Sequence, residues 1–310
     1  MEQVFAIVAP VFALMALGWT AVKTGFLGKN VELGLSAFSL WVAIPALLFR
    51  LTSEAEVPEV APWAFWLPFL IAGACVWVTA VVLARALGRP RTSGPAFAMA
   101  AAYGNTVMLG IPVCLNAFGE AAALPIALLT AVHAPVLWLA STVQYEWVSS
   151  GPGKSAWQLL TELVIVLAKN PVVMAILAGT AWGATGLGLH PVINDIITQL
   201  GHAAIPSALF ALGMSLAAYS LRREMRAAPA LTLIKLGAMP AIVWLLVQYV
   251  FVLPPVWAGT AVIMAATPTG MNAYLFASRY DTSVPSVTST IVLSTALSVA
   301  VLPLAVLLVT

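Results

Sequence analysis

The sequence predicts an all-α polytopic membrane protein whose ten transmembrane helices form two inverted five-helix repeats. Three observations support this fold class: the apolar composition, a phrase that occurs twice, and the distribution of basic residues. Hydrophobic residues make up 62% of the 310 residues and charged residues only 8%, and the mean hydropathy is +1.02. A soluble fold of this length cannot hide so much apolar surface, so the predicted solvent is lipid.

The repeated phrase indicates duplication. The stretch AIPALLF at residues 43–49 returns as AIPSALF at residues 204–210, and the same offset places Pro10 on Pro171. Duplication in so apolar a chain predicts a membrane transporter built from two structural repeats.

Ten apolar runs, separated by polar breaks, are each about as long as a helix that crosses the hydrocarbon core. Numbered as spans 1 to 10, they lie at residues 3–22, 30–50, 62–84, 93–118, 121–144, 168–188, 193–219, 229–252, 256–278 and 284–308. Residues 1–150 are therefore predicted to form the first repeat, and residues 168–310 the second. Residues 151–167 are predicted to be a cytoplasmic linker with a short interfacial helix.

Basic residues fall almost entirely on one set of alternate connections. They are Lys23, Lys29, Arg85, Arg89, Arg91, Lys154, Lys169, Arg222, Arg223, Arg226 and Arg279. The other set holds Arg50 and the acidic residues Glu54, Glu56, Glu59, Glu120 and Asp195. By the positive-inside rule the first set is cytoplasmic and both termini face outward. Because each half has an odd number of spans, the second repeat enters from the opposite side and the repeats are inverted.

Spans 4 and 9 each contain a polar, helix-breaking cluster near the predicted midpoint. The clusters comprise Asn105, Thr106, Gly110 and Pro112 in span 4, and Thr267, Pro268, Thr269, Gly270 and Asn272 in span 9. Gly and Pro weaken a continuous helix, and lipid offers no partner to an Asn amide. Such clusters at corresponding positions of two repeats are typical of a transport site, so these residues are the predicted substrate-binding residues. The alternative is a pair of kinked helices whose Asn residues bond to their neighbours.

The predicted geometry favours an anionic solute. If each span breaks at its cluster, the second part of span 4 begins near Pro112 and that of span 9 near residues 269–271. In inverted repeats these helix starts approach the midplane from opposite sides. Their unpaired N–H groups and positive dipole ends favour an anion. The side chains of Asn105, Thr106, Thr269 and Asn272 are expected to add neutral hydrogen bonds.

Three further polar residues inside spans are candidates for a proton or anion role. His133, central in span 5, is either a proton carrier or a neutral hydrogen-bonding residue. Lys235 lies near the cytoplasmic end of span 8, where snorkelling is the expected role and anion attraction or a salt bridge is the alternative. Ser294, at mid-depth in span 10, either reaches the site or serves helix packing.

The chain resembles the auxin efflux carrier family, which includes plant PIN-FORMED carriers and bacterial permeases such as malonate transporters. The matching stretches are NTVMLGIP at 105–112, AFG at 117–119, ATPTG at 266–270, FASRY at 276–280, FSLWVAIPALLF at 38–49 and KNP at 169–171. The resemblance covers essentially the full length. The long cytoplasmic loop of the plant carriers is missing, so the regulation associated with it is not carried over.

This resemblance implies a ten-helix carrier related in fold to the bile acid–sodium symporters. Spans 1, 2, 6 and 7 are expected to form a scaffold that is often dimeric, and spans 3–5 and 8–10 a moving transport domain. The broken spans 4 and 9 are expected to cross at the substrate site, and the transport mechanism to be elevator-like. Pro112 and residues 267–272 match the family's crossing point.

The expected protein is therefore a secondary transporter for a small organic anion such as a carboxylate, in the bacterial inner membrane. No enzyme activity, metal site or cofactor is expected, and coupling to H⁺ or Na⁺ stays open. A sodium-coupled carrier like the bile acid symporters is the alternative. From another class, the alternatives are a transport-inactive membrane sensor and an intramembrane enzyme, although the histidines His133, His190 and His202 are scattered. A net charge of +2 gives no reason to expect a nucleic-acid partner.

Overall fold

The computed structural model describes residues 2–55, 61–149, 155–218 and 226–310. In these ranges the regular structure is helical, and extended pairing is limited to one isolated bridge between Gly104 and Thr269. Among the described residues, seven helical stretches are long and apolar enough to cross a membrane, and the shorter helices Pro171–Gly183 and Pro255–Ala265 are also apolar. The prediction of an all-α chain with many apolar spans is therefore confirmed.

The helices follow the predicted apolar runs. Those of the first part of the chain are α1 (Glu2–Lys23), α2 (Lys29–Phe38), α3 (Ile44–Ser53), α4 (Pro62–Ala86), α5 (Ser93–Ala102), α6 (Ile111–Phe118) and α7 (Ala123–Val148). Those of the second part are α8 (Ala156–Lys169), α9 (Pro171–Gly183), α10 (Pro191–Ala218), α11 (Ala228–Leu233), α12 (Met239–Tyr249), α13 (Pro255–Ala265), α14 (Met271–Arg279) and α15 (Val284–Val309). The arrangement as ten spans in two inverted repeats stays a prediction.

Short π-helical turns precede several prolines inside the apolar helices. The turns lie at Ser39–Ala43, Thr106–Gly110 and Ile234–Ala238. The prolines that follow them are Pro45, Pro112 and Pro240. A proline has no N–H to donate and its ring clashes with the carbonyl four residues earlier, which in each case lies within the π turn. Because π-helical bonds reach five residues back, the wider turn moves that carbonyl away and the helix continues through the proline.

This local geometry corrects one prediction. The second part of span 4 was expected to begin near Pro112, but the helix already resumes at Thr106 and runs through the π turn into α6. Pro112 is therefore an interior residue of this helix, and the π turn before it moves away the carbonyl that its ring would meet. In span 9, α13 ends at Ala265 and α14 begins at Met271.

The described residues form two compact units. Unit 1 comprises the described parts of residues 1–59, 107–131 and 167–219, and unit 2 those of residues 60–106, 132–166 and 220–310. The boundaries of the repeats and the division into scaffold and transport domain stay predictions. Helix α8 covers most of the predicted interfacial helix. Residues 151–154 of the predicted linker, including Lys154, lie outside the described residues, as do Glu56, Glu59, Arg222 and Arg223 from the charge pattern.

In unit 1, helix α1 packs along α10 with almost no room between their backbones. A Cβ atom added to Gly213 of α10 would lie 2.8 Å from the Met15 Cα atom of α1. A Cβ atom added to Gly18 of α1 would lie 2.9 Å from the Phe210 carbonyl carbon of α10. Small residues that allow backbones to approach are a common basis of helix association in membranes. Glycine is therefore required at these two positions by close packing.

In unit 2, α5 is the central helix. All of its residues from Ser93 to Ala102 are buried, and it packs against α4, α11, α14 and α15. The inner part of α13, from Gly259 to Ala265, is buried in the same way. These two helices lead directly into the non-helical segments of spans 4 and 9. The segments are consequently held at the ends of the two most enclosed helices of the unit.

The contact between α1 and α10 gives a testable prediction for stability. Replacing Gly213 by Ala forces a Cβ atom into the Met15 backbone, so we expect a loss of roughly 1–3 kcal/mol in the free energy of unfolding. Thermal unfolding of the purified protein in detergent measures this change as a lower midpoint.

The matched control is Gly73→Ala in α4, because a Cβ atom added there meets no other atom within 4 Å. Equal midpoints for the two variants would contradict the close approach of α1 and α10.

Candidate functional site

Two non-helical segments of unit 2 meet and pair through their backbones. We call residues 103–105 and 266–270 the crossing. The Asn105 N–H donates to the Pro268 carbonyl oxygen at 2.7 Å, and the Gly270 N–H donates to the Tyr103 carbonyl oxygen at 3.0 Å. Backbone that leaves a helix away from water must find other partners. At the crossing each segment supplies these partners to the other.

Hydroxyl groups tie the span 9 side of the crossing to neighbouring helices. The Thr269 hydroxyl donates to the Ala100 carbonyl oxygen of α5 at 2.7 Å, and the Thr269 N–H donates to Ser294 Oγ of α15 at 3.0 Å. The Thr267 hydroxyl donates to the Met264 carbonyl oxygen at 2.7 Å. These three predicted site residues are buried. Their hydroxyl groups donate hydrogen bonds to acceptors within the protein. These bonds stabilise the crossing.

Tyr103 links the two segments through its side chain. Its hydroxyl oxygen accepts a hydrogen bond from Asn272 Nδ2 in the first turn of α14. The centroids of the Tyr103 and His133 rings are 4.7 Å apart. The His133 ring also packs edge-to-face with the Phe69 ring, at a centroid distance of 5.3 Å. The sequence analysis did not single out Tyr103 as a site residue. The available signal was its position directly before Gly104 and Asn105 in the break of span 4.

His133 binds the backbone of the crossing. Its Nε2 atom accepts the Gly104 N–H at 3.1 Å. Because a backbone N–H can only donate, Nε2 carries no hydrogen here and the neutral ring carries its hydrogen on Nδ1. Nδ1 is buried and has no hydrogen-bond partner among the residues that the structure describes. Of the two roles expected for His133, this geometry agrees with a neutral residue that forms a hydrogen bond. The role of proton carrier stays a prediction.

Lys235 does not snorkel, so that expectation is wrong. Its side chain is fully buried, and Nζ donates to the Ala265 carbonyl oxygen at the end of α13 at 2.8 Å. A Cβ atom added to Gly104 would lie 3.4 Å from this Nζ, so the charge lies directly against the crossing. The C-terminal end of a helix is the negative end of its dipole and stabilises a cation. The π turn that holds Lys235 packs against α4, α5 and α15, which encloses the side chain.

Two predicted binding residues lie next to each other at the crossing, and Thr106 is buried. The side chains of Asn105 and Thr106 have no hydrogen-bond partner among the described residues, and Asn105 is half-buried. They lie where the helix of span 4 resumes. The first N–H groups of this helix and of α14 have no acceptor within their own helices.

Gly110 and Pro112 are buried residues of unit 1. Pro112 lines a small apolar cleft of that unit, and both copies of the repeated phrase contribute to it. The lining residues are Ile44, Leu47, Val107, Ile111, Pro112, Ala204, Ile205 and Ala208. The cleft offers an apolar surface and no hydrogen-bonding side chain, so the predicted binding role of Gly110 and Pro112 stays a prediction.

Three features of the crossing bear on its electrostatics, namely the fully buried Lys235 side chain and the helix starts at Thr106 and Met271. The N-terminal end of a helix is the positive end of its dipole. Within the described ranges no carboxylate pairs with Lys235.

The family model and the relatives that match this chain all indicate a membrane transport protein. A family model described as "Membrane transport protein" matches residues 3–150 and 144–306. A protein of Rhizobium meliloti (strain 1021) named "Putative malonate transporter" is 29% identical over 307 residues, which cover 97% of this chain and 94% of the relative. A protein of Methanothermobacter thermautotrophicus named "Uncharacterized transporter" is 26% identical over 299 residues, which cover 96% and 95% of the two chains.

These proteins are transporters, and transporters are not enzymes. The family match extends over almost the whole chain, and the apolar helices described above fit a multi-pass membrane protein. The resemblance found in the sequence is thereby confirmed, and the chain belongs to the membrane transport protein family of the auxin efflux carriers.

Proposed function

We propose that the protein is a secondary transporter that moves a small organic anion, such as a mono- or dicarboxylate, by elevator-like alternating access. One observation carries this proposal. At the crossing two unwound segments satisfy each other's backbone, while the half-buried Asn105 side chain has no described partner and remains free to bind a solute. In many transporters the substrate binds to polar groups beside the N-termini of interrupted helices.

The charge near the crossing supports an anion over a cation. Lys235 lies against Gly104 without a carboxylate partner among the described residues. The dipoles of the two helices that begin at Thr106 and Met271 add to its field. A cationic solute would be repelled by all three groups, whereas a carboxylate would complement them.

The named relatives support a carboxylate as the anion. The relative from Rhizobium meliloti is named for malonate, a small dicarboxylate, and covers nearly the whole of this chain. The crossing offers amide and backbone N–H donors, which suit carboxylate oxygens. Substrate binding is accordingly assigned to Asn105, Thr106 and the first turn of α14, with Thr267, Thr269 and Ser294 positioning the segments.

An elevator needs a fixed and a moving part, and we assign spans 1, 2, 6 and 7 to a dimeric scaffold and spans 3–5 and 8–10 to the transport domain. The grouping of α1–α3, α9 and α10 in unit 1 and of α4, α5 and α11–α15 in unit 2 agrees with this assignment, whereas α6 and the first part of α7, from spans 4 and 5, group with unit 1. The charge asymmetry of the loops supports a bacterial inner-membrane location with both termini outside the cytoplasm.

Uptake by proteoliposomes tests the proposed function. The purified protein is expected to give saturable uptake of at least one labelled acid from a panel of malonate, related mono- and dicarboxylates and indole acetate. Protein-free vesicles and a labelled amine of similar size are the controls. Uptake of the amine, or of no acid in the panel, would contradict an anion carrier and favour the sensor alternative.

Asn105→Ala is expected to lower transport about tenfold or more, because a hydrogen bond to a charged group contributes about 1.5–3 kcal/mol. Its thermal unfolding midpoint should not change, since no described residue loses a partner. Asn272→Ala is expected to lower both transport and stability, because Tyr103 loses its donor.

Asn116→Ala is the matched control, because Asn116 is an exposed residue of α6 whose Nδ2 donates to the Ile7 carbonyl oxygen in unit 1. Normal uptake by both the Asn105 and Asn272 variants would place the substrate site elsewhere.

Gly104→Ala should abolish transport. The added Cβ atom would collide with the Thr267 hydroxyl, and it would separate the paired backbones of Gly104 and Thr269. Gly94→Ala in α5 is the control, because the nearest atom to its added Cβ is a Val81 methyl carbon at 3.5 Å, an ordinary contact. Uptake assays on both variants, after equal reconstitution, measure the difference. If Gly104→Ala transported like Gly94→Ala, the tight crossing would not be needed for transport.

A further inference from the structure

Tyr103 has the largest polar side chain of the crossing, and its ring packs against two neighbours. The centroids of the Tyr103 and His133 rings are 4.7 Å apart. A Cβ atom added to Gly270 would lie 2.9 Å from two carbon atoms of the Tyr103 ring. Only 6% of Tyr103 is exposed, so the ring has little room to turn. The position of its hydroxyl group is therefore determined by the packing of the crossing.

The hydroxyl group of Tyr103 has a hydrogen atom that no described residue accepts. Its oxygen accepts a hydrogen bond from Asn272 Nδ2, and a phenolic hydroxyl group can both accept and donate. Within the described ranges the structure shows no acceptor for the donated hydrogen. Because the O–H of a buried tyrosine usually has a partner, this hydrogen is available to a bound molecule that can accept it.

A second donor lies beside this hydroxyl group. Asn272 is the second residue of α14, a position whose backbone N–H has no acceptor within its own helix. No acceptor from elsewhere in the described chain reaches this N–H. The side chain of the same residue bonds to Tyr103, so the two donors are close together. Asn272 is half-buried, which leaves this edge of the crossing accessible.

These two donors suit a carboxylate group. A carboxylate has two oxygen atoms that only accept hydrogen bonds, and a hydrogen bond to a charged acceptor is stronger than one between neutral groups. The start of α14 adds the positive end of a helix dipole. An ammonium group offers hydrogen atoms alone, so it would leave both donors unsatisfied.

We infer that the Tyr103 hydroxyl group donates a hydrogen bond to a carboxylate oxygen of the substrate, and that Asn272 positions this hydroxyl group through its side-chain amide. Tyr103 then determines specificity for an acid over its neutral amide, because the amide would place an NH₂ group against one of the donors. The class of the substrate rests on the proposed function, but binding of a carboxylate at Tyr103 can be measured without transport.

Tyr103→Phe is the test variant, because it removes the hydroxyl group and keeps the ring that packs against His133 and Gly270. Tyr145→Phe is the matched control. Tyr145 is a half-buried residue of α7 in unit 2, and its hydroxyl group donates to the Tyr280 carbonyl oxygen at 3.5 Å, at the far end of α14.

The first measurement is the binding of acids to the purified full chain in detergent. It uses thermal unfolding, since a ligand of the folded state raises the unfolding midpoint. At least one acid from the panel of malonate, related mono- and dicarboxylates and indole acetate is expected to stabilise wild type. Its dissociation constant should rise about tenfold or more in Tyr103→Phe, through loss of a hydrogen bond to a charged group. It should not change in Tyr145→Phe.

Competition by the amide of the same acid separates a binding role of the hydroxyl group from a structural one. The measured quantity is the ratio of the dissociation constants of the amide and the acid. This ratio is expected to fall several-fold in Tyr103→Phe, because the acid loses the stronger hydrogen bond. A loss of local structure would weaken both ligands alike, so an unchanged ratio would overturn the inference.

Asn272→Asp is a second variant, which decides if Tyr103→Phe does not fold. Its carboxylate accepts the Tyr103 hydrogen, so the hydroxyl group can no longer donate to a substrate. Acid binding is expected to weaken about tenfold or more. Acid binding as tight as that of wild type would contradict the inference.

Uptake of the same acid by proteoliposomes distinguishes the inference from the proposed function. Stabilisation by an acid that is lost in Tyr103→Phe, without uptake by wild type, would support the role of Tyr103 and reject the carrier. Binding and uptake that are equal in wild type and Tyr103→Phe would support the carrier and reject the inference. Neither binding nor uptake of any acid by wild type would reject both.

Discussion

Backbone N–H and C=O groups that leave a helix inside an apolar protein must find other partners, and this constraint governs the structure. At the crossing, Asn105 and Gly270 donate to carbonyls of the opposite segment. The enclosure of α5 and α13, the absence of a side chain at Gly104 and the hydrogen bond from the Gly104 N–H to His133 all serve this pairing. The non-helical segments of the crossing thus lie inside unit 2 with backbone groups paired to each other.

A buried ammonium is costly unless it is hydrogen-bonded, and Lys235 meets a carbonyl at the negative end of α13. The carbonyl satisfies the ammonium as a donor but does not neutralise its charge. The hydrogen bond ties the π turn that holds Lys235 to the end of α13.

Three prolines of this chain follow π turns inside the apolar helices. Each π turn ends two residues before a proline, and the helix passes through the proline instead of stopping there. In span 4 this moves the start of the helix from Pro112 back to Thr106, beside Asn105. The dipole of that helix consequently acts on the crossing, where the neutral donors lie.

Composition and helix-breaking residues are local signals, so the sequence was enough to predict the membrane class, the helical ranges, the family and the two clusters at which the helices are interrupted. The use of the polar groups depends on contacts between residues that are far apart in the chain. Thr269 bonds to Ala100 and Ser294, both distant in sequence, so its hydroxyl holds the crossing. The side chain of Lys235 is long and flexible enough to extend either to the membrane interface or into the protein. It is buried because of the helices that pack around it, which the local sequence does not reveal.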